Sequence, residues 1–213
     1  MTSQKFKLGI IGIGMVGAPL KRWFEENSYK RGKNLFLYDI DVKKNYFDDV
    51  NQADIIFLTL PTPRIQKNGS CDISIVEGAI KKLKGKKIIV IKSTIPPGTT
   101  AYFQKKYSKH KFLFNPEFLT ESRAWEDMIK PDRQIVGFTN KSLEAANVVL
   151  SLLPKAPFMS PWGLGTYKPV RITAIEAEFI KYAGNLHFVR KVNWANALAK
   201  TADKLGADYA NVR

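Results

Sequence analysis

The chain has 213 residues, 45% of them hydrophobic, and carries a formal net charge of +15. No apolar run reaches about eighteen residues and the first residues are polar, so we expect no transmembrane helix, no secretory leader and no membrane partner. The single cysteine, Cys71, excludes an internal disulfide framework and indicates a reducing, cytoplasmic location.

Short apolar runs alternate with segments of helical spacing over most of the chain. The predicted strands span 7–11, 35–38, 55–60, 87–91, 112–114 and 134–138, and the predicted helices span 15–27, 73–83, 99–107 and 142–152. Strands that alternate with helices predict a parallel sheet covered on both faces. The predicted fold class is therefore α/β, a Rossmann-like doubly wound parallel sheet.

A long helix is predicted after this pattern ends. The segment 172–205 contains no proline, keeps helical spacing and has one internal glycine, Gly184, as a weak point. At 1.5 Å per residue such a helix spans roughly 50 Å. Its aromatic residues Tyr182, Phe188 and Trp194 need a partner to bury them, so we expect a homodimer through this helix or a missing second domain. The predicted division is a dinucleotide-binding domain over 1–170 and a central or dimerisation helix over 171–213.

A glycine-rich motif directly follows the first predicted strand. Gly12 permits a tight turn, Gly14 lets the backbone approach a pyrophosphate and Gly17 allows close helix packing. The helix start then presents free N–H groups to phosphates. The second strand ends at Asp39, whose carboxylate suits adenosine ribose hydroxyls and repels a 2′-phosphate. The motif predicts NAD rather than NADP as cofactor.

Two carboxylates, Glu117 and Glu121, stand four residues apart beside the Asn115-Pro116 break that ends a predicted strand. If a helical turn follows, both lie on one helix face. Charged residues at the end of a buried strand are typical of α/β active sites. The alternative is an ordinary helix start with acids favoured by the helix dipole.

These motifs together resemble the UDP-glucose/GDP-mannose 6-dehydrogenase family. The resemblance rests on six motifs in the family's order, at 9–17, 60–63, 92–99, 115–121, 131–133 and 177–185. The family oxidises the C6 hydroxyl of a nucleotide sugar to a carboxylate in two NAD-dependent steps. The resemblance implies a nucleotide-sugar substrate and no metal.

The resemblance also implies a role for individual residues. Lys181 and Asn185, one helical turn apart, would hold the oxygen at C6, and Glu117 would act as a general acid/base or water-orienting group. Thr94 and Glu121 would lie near the nicotinamide and the reactive water. The implied cofactor-binding residues are Gly12, Ile13, Gly14, Met15, Val16, Gly17, Asp39, Leu60, Pro61, Thr62, Ser93, Thr94 and Glu121. The implied substrate-binding residues are Phe118, Leu119, Glu121, Lys181 and Asn185.

The chain departs from the family at its second oxidation. The family uses a thiol in a C-terminal domain, whereas this chain ends at Arg213 before any such loop, and Cys71 matches no family nucleophile. Without a thiol the thiohemiacetal route is closed. We therefore expect the nucleotide-gripping C-terminal domain to be absent, and full activity to be lost or to need a separate C-terminal-domain partner.

Two other functions remain open from the sequence. A β-hydroxyacid-type dehydrogenase also uses a Lys and an Asn one helical turn apart. A non-catalytic NAD-binding module that dimerises through the long helix is the second alternative. The scattered lysines, without zinc-ligand spacing or a ribonucleoprotein motif, argue against nucleic acid as a partner.

Overall fold

A computed structural model describes residues 6–161 and 171–213. The strands are β1 (Leu8–Ile11), β2 (Leu35–Tyr38), β3 (Ile55–Leu58), β4 (Ile88–Ile91), β5 (Lys111–Phe114), β6 (Arg133–Ile135), β7 (Gly137–Phe138) and β8 (Phe158–Ser160). The α-helices are α1 (Gly17–Glu26), α2 (Ser74–Lys81), α3 (Thr99–Lys106), α4 (Ala124–Ile129), α5 (Leu143–Leu152) and α6 (Ala174–Leu205). Short 3₁₀ turns occur at Val42–Lys44, Val50–Gln52, Glu121–Arg123 and Tyr209–Asn211.

The main sheet has the strand order β2-β1-β3-β4-β5-β7. Its first five strands are parallel, and β7 joins β5 in the antiparallel direction. The chain runs from β1 outward to β2 and then returns to β3 on the other side of β1. This reversal is the topological switch point at which open α/β sheets bind ligands. The predicted doubly wound sheet is thus confirmed.

Two apolar layers cover the sheet, one on each face. Alternate strand residues point to opposite faces, so neighbours such as Ile10 and Ile11 enter different layers. The layer with Ile10 packs against α1 and α5, and the layer with Ile11 packs against α2, α3 and the first turns of α6. Because both faces are covered, strands such as β3 are apolar throughout instead of alternating.

The predicted strand 134–138 is not a single strand. Its first part, β6, pairs with β8 in a separate two-stranded sheet, while β7 pairs with β5. The division follows from packing at Gly137, where an added Cβ would lie 2.6 Å from the Ala177 Cβ and 2.8 Å from the Thr173 oxygen. Helix α6 therefore presses on the backbone at this point, and the chain changes sheets there. The sequence reading also missed β8 and the short helix α4.

The long helix α6 is confirmed and runs unbroken through Gly184. Thr173 and Glu176 form a capping box at its start, and Gly206, with a φ of +67°, ends it. Beyond its first turns it leaves the domain, and Phe188 and Trp194 are 65% and 67% exposed. The boundary predicted at 170/171 falls beside 162–170, which lie outside the described residues. Within the described ranges no helix is both long and apolar enough to cross a membrane.

Candidate functional site

Two cavities open where the main sheet presents the carboxyl ends of its strands. One, of about 930 Å³, lies over the ends of β1, β2 and β3 and is lined by Gly12, Gly14 and Asp39. The other, of about 600 Å³, lies between the loop after β5 and the start of α6, and Glu117 and Lys181 line it. We call them the cofactor cavity and the inner cleft.

The glycine loop shapes the floor of the cofactor cavity. Gly12 has a φ of +94°, and a Cβ there would lie 2.7 Å from the Thr59 oxygen. A Cβ on Gly17 would collide with the Gly12 oxygen, whereas one on Gly14 would meet nothing within 4 Å and would project into the cavity. Helix α1 begins after Val16 without a side-chain cap. Its first N–H groups and the bare Gly14 backbone therefore suit a pyrophosphate, so the residues fit a dinucleotide.

Asp39 fixes the glycine loop from the neighbouring strand. Its carboxylate accepts hydrogen bonds from the Ile13 amide at 2.6 Å, the Asp41 amide at 2.8 Å and the Lys44 ammonium at 3.0 Å. Burial opposes ionisation of Asp39, but these hydrogen bonds outweigh it, so the pKa of Asp39 lies below its usual value. A carboxylate has about four acceptor positions, which leaves about one for a ribose hydroxyl.

The sequence reading missed the apolar rim of the cofactor cavity. Tyr38, Ile40 and Phe47 line the cavity, and Ile40 is 86% exposed. The Tyr38 and Phe47 rings meet edge to face, with centroids 6.4 Å apart. Exposed apolar side chains at the rim of this cavity suit a flat heterocycle such as adenine. The available signal was the apolar residues Ile40 and Val42, which alternate with aspartates directly after the second strand.

The loops after β3 and β4 are joined to each other by hydrogen bonds. The Leu60 amide donates to the Ser93 hydroxyl at 2.9 Å, and the Thr62 hydroxyl donates to the Thr94 oxygen at 2.7 Å. The Cys71 sulfur lies 3.8 Å from the oxygens of both Thr62 and Thr94. The predicted residues of both loops are thus held together as one wall. Leu60 and Pro61 line the cofactor cavity itself.

The inner cleft brings together Lys181 and Glu117, which lie far apart in sequence. The Lys181 ammonium donates to a Glu117 carboxylate oxygen at 2.7 Å and to the Glu117 main-chain oxygen at 2.8 Å. The other carboxylate oxygen accepts from the Leu119 amide at 2.8 Å. Phe118, Leu119 and Asn185 also line this cleft. The structure therefore gathers the predicted substrate-binding residues, apart from Glu121, around one ion pair.

Glu121 does not share a helix face with Glu117. The chain has no regular secondary structure from Asn115 to Thr120, and Glu121 opens a 3₁₀ turn with its side chain exposed. The Thr120 amide donates to the Asp127 carboxylate at 2.8 Å, which holds this segment toward α4. Glu117 engages Lys181, whereas Glu121 is not among the residues that line either cavity. The prediction of a shared helix face was wrong.

Glu178 ties the start of α6 to the loop that follows Thr94. It is completely buried, and its carboxylate accepts from the Gly98 amide at 2.5 Å, the Thr100 amide at 2.8 Å and the Thr100 hydroxyl at 2.6 Å. Burial raises the pKa of Glu178 although these hydrogen bonds oppose the change. The carboxylate thus caps α3 from another helix. Glu178 lies within the motif at 177–185, but no local sequence pattern predicts this capping role.

Comparison with known proteins identifies the family of this chain. The family model described as UDP-glucose/GDP-mannose dehydrogenase family, NAD binding domain, matches residues 38–152. The chain belongs to this family. NAD is therefore the cofactor.

Curated members of the family are longer than this chain. The UDP-glucose 6-dehydrogenase TuaD of Bacillus subtilis is 33% identical, over 97% of this chain and 51% of its own length. The UDP-glucose 6-dehydrogenase of Rickettsia typhi is also 33% identical, over 78% of this chain and 38% of its own length. The chain thus spans about half or less of the relatives that it matches.

Solved structures of the family agree with the fold. A UDP-glucose dehydrogenase from Pyrobaculum islandicum superposes with a TM-score of 0.78 at 25% identity, covering 99% of this chain and 56% of that one. GDP-mannose dehydrogenase from Pseudomonas aeruginosa gives 0.76 at 20% identity, with coverages of 97% and 55%. A 3-hydroxyisobutyrate dehydrogenase from Mycobacterium tuberculosis gives 0.68 at 16% identity, covering 96% of this chain and 67% of that one, which shows a shared fold alone. The β-hydroxyacid alternative is therefore not favoured over the UDP-glucose/GDP-mannose dehydrogenase family.

Proposed function

We propose that the chain is the NAD-binding half of a nucleotide-sugar 6-dehydrogenase. The observation that carries the proposal is the Lys181–Glu117 ion pair in a cleft that is also lined by Lys92, the residue before Ser93 and Thr94. NAD, when bound, supplies the hydride acceptor. The named activities of the relatives, UDP-glucose and GDP-mannose oxidation, make a nucleoside diphosphate sugar the proposed substrate.

The residues of the inner cleft suit oxidation of a primary alcohol. The Lys181 ammonium and the Asn185 amide, one helical turn apart, would hold the C6 oxygen and stabilise negative charge on it. Glu117 lies within hydrogen-bond distance of Lys181 and would receive the proton directly or through a water. The Phe118 and Leu119 backbone would contact the sugar. Thr94 and Glu121 remain proposed neighbours of the nicotinamide and the reactive water.

The step from aldehyde to acid needs a nucleophile that these residues do not supply. Cys71 faces the oxygens of Thr62 and Thr94, and it is not among the residues that line the inner cleft. We therefore propose that a C-terminal domain, joined to this chain or supplied by a partner, brings the thiol. The exposed aromatic residues of α6 support a second proposal, that two copies associate through this helix.

The decisive experiment separates cofactor binding from chemistry. Calorimetric titration with NAD should show binding in the wild type and in Lys181→Met alike, because Lys181 lies in the inner cleft. NADH formation with UDP-glucose or GDP-mannose, measured by absorbance, should be weak in the wild type and absent in Lys181→Met. Lys191→Met, on the exposed part of the same helix, is the matched control and should retain the wild-type rate.

Two outcomes would contradict the proposal. Failure to bind NAD at millimolar concentration would remove the cofactor role of this chain. Robust conversion of UDP-glucose to the acid by this chain alone would refute the requirement for a second domain.

A further inference from the structure

A buried lysine lies behind the Lys181–Glu117 pair. Lys92 follows β4, is 5% exposed and contributes to the wall of the inner cleft. Its ammonium donates to the Asn115 side-chain oxygen at 2.6 Å. The Asn115 amide nitrogen donates to the Gln134 side-chain oxygen at 3.0 Å and to the Ile135 oxygen at 2.7 Å, which fixes its orientation. Lys92 is thus held in place by a neutral partner.

Lys92 has no carboxylate of its own. It forms no ion pair with the residues in 6–161 and 171–213, and the sequence outside those ranges contains no Asp or Glu. The carboxylate whose charge acts on it, Glu117, is engaged by Lys181 through one oxygen and by the Leu119 amide through the other. Two ammonium groups therefore share one carboxylate inside the cleft. A buried charge without a counter-ion is costly, so this arrangement favours one additional anion.

The rest of the lining does not neutralise this excess. Arg123, Lys130 and Arg133 line the cleft together with Asp127 and Asp132. The Arg133 guanidinium stacks 4.1 Å from the centroid of the Phe118 ring, and Asp127 accepts from the Thr120 amide. The wall of the cleft therefore adds further positive charge.

We propose that Lys92 and Lys181 form a subsite for a small carboxylate anion at the base of the inner cleft. The inference deepens and rests on the proposed function, since oxidation at C6 of a sugar yields such a carboxylate. It means that the cleft binds the acid more tightly than the alcohol from which it derives. Two ammonium groups would produce this selectivity, because a hydrogen bond to a carboxylate is stronger than one to a hydroxyl.

The pKa of Lys92 agrees with this proposal. Burial, together with the smaller effect of the Lys181 charge, lowers the pKa of Lys92 to about 8 against the opposing effect of Glu117. A bound carboxylate would favour the charged form and raise this pKa. Anion binding should therefore take up protons and weaken as the pH rises above about 8.

The test compares an acid with its alcohol. Wild-type protein is titrated calorimetrically with glucuronate, glucose and inorganic phosphate, and with UDP-glucuronate and UDP-glucose, near neutral pH and at about pH 10. Near neutral pH we expect each acid to bind about tenfold or more tightly than its alcohol, a ratio that shrinks to about threefold or less at high pH. Equal affinity for acid and alcohol near neutral pH would overturn the inference. Phosphate binding as tight as glucuronate binding would overturn the carboxylate preference.

Substitution then assigns the effect to Lys92. Lys92→Gln keeps a donor for Asn115 without the charge, and Lys92→Met keeps the length; both should lose the preference for the acid. Lys105→Met, an exposed lysine of α3 outside the cleft, is the control and should keep it. A preference retained by a folded Lys92 variant overturns the assignment, and the wild-type pH series decides if neither variant folds. NAD titration of the same samples separates this inference from the proposed function, because NAD binding without anion selectivity overturns this inference alone.

Discussion

Replacement of Glu178 tests how α6 is joined to the cofactor side of the sheet. Its buried carboxylate accepts three hydrogen bonds, from the Gly98 amide and from the amide and hydroxyl of Thr100. Glu178→Ala leaves two buried amides without this acceptor, at about 1–3 kcal/mol each, while removal of the desolvated carboxylate recovers part of that cost. We expect the free energy of unfolding to fall by about 3 kcal/mol. For a chain of this size, that lowers Tm by about 6–12 °C.

Thermal unfolding followed by circular dichroism, together with urea titration, measures this effect. Glu178→Gln should lower the free energy of unfolding by about 1–2 kcal/mol, because the new NH₂ group is itself a donor and must face at least one of the three donors. Asp203→Asn is the control, since Asp203 lies on the same helix but is exposed, and its loss should stay below about 0.5 kcal/mol. A Glu178→Ala protein that melts within about 2 °C of the wild type would refute the reasoning.

Three further predictions concern the cofactor cavity and acid stability. Gly14→Val should abolish measurable NAD binding in calorimetry yet leave Tm nearly unchanged, because the added side chain meets only the cavity. Asp39→Asn should weaken NAD binding by about tenfold, since an amide replaces one carboxylate acceptor. The pKa of His110 is lowered to about 4 by burial and by the charges of Lys109 and Lys87. Because the fold keeps His110 neutral, the free energy of unfolding should fall by up to about 3 kcal/mol as the pH is lowered from 6.5 to about 4. Urea titrations of His110→Gln over the same pH range should show a smaller loss.

A different result would contradict each of these predictions. Tight NAD binding by Gly14→Val would mean that the pyrophosphate does not cross this loop. Unchanged NAD affinity in Asp39→Asn would limit Asp39 to its structural hydrogen bonds with Ile13 and Asp41. Identical acid profiles for the wild type and His110→Gln would assign the loss to carboxylates elsewhere.

The sequence predicted the features that local patterns determine. Buried parallel strands give continuous apolar runs, and a glycine loop between a strand and a helix has a recognisable spacing, so β1, α1 and Asp39 could be placed in advance. The family resemblance indicated Lys181 and Asn185, and helical spacing placed them on one helix face. The long helix was predicted within two residues at its start because the absence of proline and the helical spacing of apolar residues are local signals.

The features that the sequence did not predict depend on long-range contacts. The division of 134–138 into two strands depends on Ala177 pressing against Gly137, some forty residues away. The position of Glu121 depends on Asp127, which draws the preceding amide away from a helical path. Lys92 looks like any other lysine in this lysine-rich chain, because burial by β5 and α6 is not visible in the residues beside it.

The attachment of α6 also fixes the rotational phase of the helix. Glu178 and Lys181 are three residues apart and contact different loops, so rotation about the helix axis would break at least one of these contacts. Each residue advances the helix by about 100°. A single-residue insertion between Glu178 and Lys181 would therefore rotate Lys181, Asn185 and the exposed C-terminal part of α6 away from their present directions. The number of residues between Glu178 and Lys181 therefore determines the direction in which the Lys181 ammonium group points. It also determines which way the exposed surface of α6, about 30 Å away, faces a partner.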